Sequence, residues 1–224
     1  MIRDCAADRG IEVAAEFNTA TIAQLAQCDR MDAVIDFSAP ASLPALAAYV
    51  QRTGTPLVSG TTGYCDEEAA RVNALGSYAP VALSANFSIG VAVLKHLAAE
   101  AAALLPDFDI EIIETHHRMK KDAPSGTAKL LLSAVNPDGT HPTVFGREGF
   151  TPRTAGEIGV HAVRGGTVAG VHTVSFFGDE EELSLTHRAE SRRILQLARL
   201  KPPKSSRTPP WVLHTLDELL FARR

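Results

Sequence analysis

The chain has 224 residues, 45% of them hydrophobic and 21% charged, with a formal net charge of -4. That length allows one large domain or two small ones with real cores, and the composition is an ordinary globular balance. The mild acidity leaves no footprint for nucleic acid, no apolar run is long enough to span a membrane, and the N-terminus lacks a signal-peptide pattern.

Along the first part, helix-like and strand-like segments alternate. Ile2, Cys5 and Ala6 share a face of a short helix that Gly10 can stop, and residues 11–17 read as a strand. A short helix over 21–27 precedes a buried-looking strand over 33–37. Residues 42–52 read as a helix ended by Gly54, 56–59 as a strand, 66–74 as a helix and 80–83 as another strand. Short strands joined by helical crossovers predict a parallel, doubly wound, Rossmann-like sheet.

The texture changes after Asn86. Residues 89–105 form an apolar run broken only by Lys95, His96 and Glu100, which predicts a helix buried on most sides. A strand over 110–115 leads through a polar loop to a helix beginning near Pro124. Segments 158–164, 171–177 and 182–187 read as successive antiparallel strands, with Gly165-Gly166 and Gly178-Asp179 as turns. This predicts an α+β region whose mixed, largely antiparallel sheet needs a cover, from a helix or another subunit. A basic helix over 189–200, a Pro- and Ser-rich linker over 201–210 and a terminal helix over 215–222 complete the chain.

The densest polar cluster runs from Glu114 to Thr127, where a strand ends and a helix begins, the usual place for reactive groups in α/β enzymes. Strand alternation places His116 on the face of Ile110, Ile112 and Glu114, and His117 on the opposite one. An imidazole at His116 can give or take a proton, and Lys120 can hold an anion or act as an acid. The same residues would also make a solvated basic loop. Around Pro124, the backbone donors of Gly126 and Thr127 would lie unpaired at a positive helix end, suited to a carboxylate or phosphate. Plain capping by Asp122 or Ser125 explains the same string. Ser59-Gly60-Thr61-Thr62-Gly63 and Ser84-Ala85-Asn86-Phe87-Ser88 are strand-to-helix junctions able to line a nucleotide with small residues and donors, or to be ordinary turns and caps. Zinc is disfavoured, because adjacent histidines on a strand point apart. Cys5, Cys28 and Cys65, odd in number and widely spaced, suggest neither a disulfide framework nor a zinc knuckle, so a reducing cytoplasm is the expected setting.

Together these segments resemble the 4-hydroxy-tetrahydrodipicolinate (dihydrodipicolinate) reductase family. The resemblance is carried by Val34-Ile35-Asp36-Phe37-Ser38, by the junctions beginning at Ser59 and Asn86, and by Glu114 to Ala128. Arg147-Glu148-Gly149, Arg164-Gly165-Gly166 and His187 to Arg192 continue it. It implies hydride transfer from NADH or NADPH to a cyclic dicarboxylate in lysine and diaminopimelate synthesis. His116 and Lys120 would be catalytic. His117, Ser125, Gly126, Thr127 and Arg192 would bind the substrate, and Gly60, Thr61, Thr62, Ser84, Ala85, Asn86 and Phe87 the coenzyme. It also implies a homotetramer built through the second domain's sheet, and domains over 1–87 with 193–224 and over 88–192.

The family opens with a strand and a glycine-rich loop, whereas Met1 here falls inside the helix expected after that loop. The expectation is that the chain as it stands binds nucleotide weakly, being a fragment or bearing a misassigned start. A non-catalytic dicarboxylate binder is the rival reading. Asn18-Thr19 stands where the family reads the ribose, so coenzyme preference is not legible.

Overall fold

The computed structural model describes residues 3, 6 and 10–191 and the backbone of 213–215, which divide into two compact units at the Phe87–Ser88 bond. Most of the first predicted helix, the helix expected over 189–200 from Arg192 onward, the linker and the terminal helix beyond Thr215 lie outside the described residues, and Ala189, expected to start that helix, instead ends a strand.

The first unit is built on short parallel strands: β1 (Val34–Asp36), β2 (Leu57–Ser59), β3 (Val81–Leu83) and the strand Leu213–Thr215, adjacent in that order. Helix α1 (Leu43–Thr53) buries Leu43, Leu46, Ala47 and Val50, which recur at helical spacing. Gly54, at φ 65°, stops it by donating its N–H to the Val50 carbonyl, a conformation open to glycine at little cost. Helix α2 (Asp66–Ala74) starts with Asp66, Glu67 and Glu68, whose charges suit the positive helix end, and Glu68 accepts the Cys65 N–H at 3.0 Å. These elements enclose a core of Leu25, Leu46, Tyr49, Val50, Leu57, Val72, Leu75 and Val81.

The strand expected over 11–17 does not form. Its alternation of Ile11, Val13 and Phe17 looks strand-like, yet the segment joins no sheet, and Ile11 and Val13 stay exposed. A strand is held by its neighbour's ladder, and only Phe17 packs on the core. The helix expected over 21–27 is a 3₁₀ helix, Ile22–Gln27.

In the second unit, helix α3 (Ile89–Leu104) is followed by β4 (Asp109–His116), α4 (Gly126–Val135), β5 (Thr143–Phe145), β6 (Ile158–Arg164), β7 (Gly170–Phe177) and β8 (Glu182–Ala189). The sheet order is β5-β6-β4-β7-β8. The mixed sheet is as expected, but β6 and β7 are not neighbours: β4 lies between them, parallel to β6 and antiparallel to β7. The Gly165-Gly166 turn therefore makes no hairpin. It clasps the end of β4, Gly165 donating its N–H to the His116 carbonyl and Gly166 accepting from the Arg118 N–H.

One sheet face is covered by α3 and α4, where Leu94, Ala98, Leu131 and Val135 meet Ile112, Val160, Val174 and Phe176. The other presents Ile113, Val163 and Phe177 to solvent. On that face Glu111 accepts from Arg147 and Arg153 and pairs with His161; a side chain at Gly159 would collide with its carboxylate. Helix α3 is less enclosed than its composition suggested. It buries Val91, Leu94, Ala98 and Ala101 but leaves Ile89, Val93 and Leu97 exposed, because only one side meets the sheet.

Candidate active site

The residues around the end of β4 assemble by register. Glu114 and His116 are two apart and share the helix-covered face. His116 lies opposite Arg164 on β6, and Glu114 opposite His172 on β7. Four chemistry-bearing side chains from three strands thus meet on one face.

Glu114 is the hub and is fully buried. Arg164 grips it with both terminal nitrogens, Nη1 to Oε2 at 2.8 Å and Nη2 to Oε1 at 2.7 Å. Oε1 also accepts the Ser125 N–H at 3.0 Å, and Oε2 lies 2.5 Å from His116 Nδ1. Burial pushes the carboxyl pKa up, but the bonds from Arg164, His116 and Ser125 outweigh it and hold Glu114 below the ordinary carboxylate range. An ionised carboxylate only accepts, so Nδ1 must carry a hydrogen and donate it.

His116 is pushed below the ordinary histidine range, first by burial; Glu114 works against that, while the charges of Lys120 and Arg164 reinforce it. Its Nε2 faces Gly170, where a methyl group would approach to 3.1 Å. The His172 ring lies edge-on to the His116 ring, centroids 5.1 Å apart. His172 is buried, its Nε2 is 3.1 Å from Ser125 Oγ, and its Nδ1 has no partner among the described residues. Burial, with the neighbouring His116, lowers it to about 4, so it is neutral at physiological pH.

Ser125 is the N-cap of α4, its hydroxyl accepting from the Ala128 N–H at 3.1 Å. Of the two caps the sequence left open, Ser125 is the one used, and Pro124 precedes the cap instead of entering the first turn. Ser125 itself is buried, with its hydroxyl engaged by the helix and His172. Gly126 and Thr127 occupy the first turn of α4, at its positive end. Gly126 is exposed, and a side chain there would meet nothing within 4 Å. The helix end that Gly126 leaves accessible suits an anion.

Lys120 donates to Asp122 at 2.7 Å, and this bond, with Arg164 contributing, lowers the Asp122 pKa. Arg164 Nη2 also donates to the Asp122 carbonyl at 2.8 Å, tying the loop to the hub. His117, just past the end of β4, is half-buried, its Nδ1 accepting from the Met119 N–H. The sequence reading passed over His172, and it left Glu114 as a mere neighbour of His116. Two-residue spacing exposes Glu114, but no local signal points to His172.

In the first unit, Asp36 accepts from the hydroxyls of Ser38 at 2.5 Å, Ser59 at 3.2 Å and Thr61 at 2.7 Å, and from the Ser38 N–H. The Thr61 hydroxyl is thus committed internally, whereas Thr62 is exposed. Gly60 is tight: a side chain would overlap the Phe37 ring at 2.2 Å, and Phe37 packs on Phe87, centroids 5.6 Å apart. Ser84 donates to the Asn86 carbonyl at 2.7 Å and accepts its N–H, shaping the 84–87 turn. Both junctions follow carboxyl ends of parallel strands, where open α/β sheets receive nucleotides. No group of three or more His, Cys, Asp or Glu among the described residues is arranged to hold a metal ion.

Residues 5–87 match the family model described as dihydrodipicolinate reductase, N-terminus, and residues 90–200 the one described as dihydrodipicolinate reductase, C-terminus. A 4-hydroxy-tetrahydrodipicolinate reductase from Brachyspira hyodysenteriae is 41% identical over 178 residues, covering 79% of this chain and 77% of the relative. One from Rickettsia rickettsii is 37% identical over 210 residues, covering 93% and 87%. Among solved structures, a dipicolinate-bound dihydrodipicolinate reductase from Paenisporosarcina sp. TG-14 superposes with a TM-score of 0.61 at 24% identity, over 84% of this chain and 75% of that one.

Proposed function

The chain belongs to the dihydrodipicolinate reductase family, and we propose that its two units divide the family's work. Residues 1–87 with 193–224 hold the dinucleotide; residues 88–192 hold the substrate and carry the oligomer contacts. The reaction is reduction of 4-hydroxy-tetrahydrodipicolinate to tetrahydrodipicolinate by NADH or NADPH, with loss of water, a step of lysine and diaminopimelate synthesis.

The observation that carries the site assignment is the double grip of Glu114, which binds the His116 ring through one oxygen and the entrance of α4 through the other. A proton donor and an anion cradle are thereby held in fixed relation. The first turn of α4 at Gly126 and Thr127, with Ser125 shaping it, takes one substrate carboxylate at the positive helix end. His117 and Arg192 are assigned to substrate binding as well. When bound, the nicotinamide supplies the hydride. Gly60, Thr61, Thr62, Ser84, Ala85, Asn86 and Phe87 are the residues that would hold it, and the strand-end position and close packing of their turns fit a flat ligand. As electron density builds on the substrate ring, His116 delivers a proton from Nε2, and Lys120 holds charge beside it or serves as a second donor.

The exposed Ile113, Val163 and Phe177 on the uncovered sheet face support assembly into a homotetramer through that face. Free thiols at Cys28 and Cys65 fit a cytoplasmic setting. In the direct test, purified protein should consume NADH or NADPH only when 4-hydroxy-tetrahydrodipicolinate is supplied, one coenzyme per tetrahydrodipicolinate formed. No coenzyme consumption would refute the assignment. Sedimentation should give a tetramer that Ile113→Asp dissociates; a monomeric parent would remove the assembly.

A further inference from the structure

We propose that Glu114, clamped by Arg164, is a positioning residue that fixes the tautomer of His116 and sets how readily its Nε2 gives up a proton. The proposal rests on the reading of His116 as the proton donor and adds to it the group behind the ring.

Glu114 has no exposure and accepts four bonds: two from the Arg164 guanidinium, one from the Ser125 amide and one from His116 Nδ1. With every acceptor direction used, it can neither rotate nor turn to a water. The neutral imidazole must then keep its hydrogen on Nδ1, so every gain or loss of a proton occurs at Nε2, the nitrogen that faces Gly170. An isolated buried carboxylate would bind the imidazolium so firmly that the proton would not leave. Arg164 returns a positive charge to the same carboxylate and moderates that attraction. Among the described residues, the other charged or titratable groups around the ring are His172 on β7, neutral at physiological pH, and Lys120 in the loop after β4, itself paired with Asp122. The donor is therefore tuned by two opposed charges, Glu114 raising proton affinity and Arg164 lowering it.

Two substitutions pull these charges apart. Glu114→Gln removes the negative charge at nearly constant volume, and Arg164→Gln removes the positive charge while leaving an amide that can still donate to Glu114 and to the Asp122 carbonyl. Ring ¹⁵N and carbon-bound proton NMR, with the His116 signals assigned by their loss in His116→Gln, reads tautomer and titration midpoint without any need for turnover. The parent should show the Nδ1–H tautomer. The midpoint should fall by about one pH unit or more in Glu114→Gln and rise by a similar amount in Arg164→Gln, and the alkaline limb of kcat should move with it. KM for the substrate should stay within about threefold. Structural damage would lower activity in both variants but would not displace the midpoint in opposite directions. If Glu114→Gln loses native signal dispersion, Arg164→Gln decides alone. An unmoved midpoint, displacement of both in the same direction, or an Nε2–H tautomer in the parent would overturn the proposal. A parent that shows the expected tautomer and opposite displacements yet no turnover would instead refute the reductase reading.

Discussion

Each unit buries a carboxylate near the carboxyl end of a strand and surrounds it with donors, but the donors are of different kinds. Asp36, at the end of β1, is held by the hydroxyls of Ser38, Ser59 and Thr61 and by a backbone amide. Glu114, near the end of β4, is held by a guanidinium and an imidazole as well as an amide. Neutral hydroxyls fix a carboxylate's direction, so Asp36 can shape the 59–62 turn through donors that carry no charge of their own. Charged donors couple the carboxylate to a titration. The same side-chain chemistry thus serves scaffolding in one unit and proton control in the other.

The most severe way to break this contrast is to remove the group that titrates. His116→Ala should lower kcat by about 10²- to 10⁴-fold, the range for loss of a positioned general acid, with a much smaller change in KM. Steady-state assays against both coenzymes would check this, and an unchanged kcat would strip His116 of its role.

How much of this was legible beforehand differs between the units for a physical reason. Local order reads well: helix α2 was predicted with its observed ends, because its acid-rich first turn and the Cys65–Glu68 contact lie within the segment. The parallel strands read as short apolar runs between turns. Residues 11–17 carried the alternation of a strand, but a strand also needs a neighbour, and alternation says nothing of one. The predicted pairing of β6 with β7 failed similarly, since a glycine pair marks a turn without saying whether another strand passes between its arms. At the site, His116, Lys120 and the Gly126-Thr127 amides stood out within one short string. The hub did not, because Arg164 lies 50 residues from Glu114 and His172 lies 47 from Ser125. Those contacts are set by register, which no single segment encodes.

A second test of the contrast uses pH against stability. His172 is buried in the second unit with its midpoint lowered to about 4, whereas the buried polar residues of the first unit, among the described residues, include no histidine. Between about pH 4 and the ordinary histidine value near 6.5, the unfolded chain binds a proton that the folded chain does not. The stability tied to neutral His172 is therefore complete above about 6.5 and is lost as pH falls toward 4. Its size is of order 3–4 kcal/mol, given the lowered midpoint and about 1.4 kcal/mol per unit. Urea titrations at several pH values should show an acid-side fall that is shallower by about that amount in His172→Gln. Equal slopes in parent and variant would mean that His172 is not held neutral.

Asp36→Asn sharpens the comparison from the scaffolding side. The amide accepts fewer of the hydroxyl and amide hydrogens that meet there, so the 59–62 turn should loosen. Coenzyme affinity should fall about tenfold, as expected for roughly 1.4 kcal/mol of lost ordering. The pH profile of kcat should not move, in contrast with Glu114→Gln. Fluorescence titration of NADH and NADPH measures the first quantity, and the profile measures the second. A displaced alkaline limb in Asp36→Asn would erase the distinction between the two carboxylates.

The smallest expected effect probes the open side of the His116 ring. A methyl group at Gly170 would stand 3.1 Å from Nε2 and 3.5 Å from the neighbouring ring carbon. That is tight but not impossible, so the ring or the strand should yield by a few tenths of an ångström. The ring cannot yield freely, because its Nδ1 is anchored on a carboxylate that Arg164 and the Ser125 amide hold in place with three further bonds. Displacement of a donor by well under 1 Å should reduce kcat about three- to tenfold while KM stays nearly constant. Combining Gly170→Ala with Glu114→Gln provides the discriminating measurement, since the second change releases the ring and lets it move aside. The added loss from the methyl group should then shrink, and an undiminished loss in the double variant would show that the ring was never clamped.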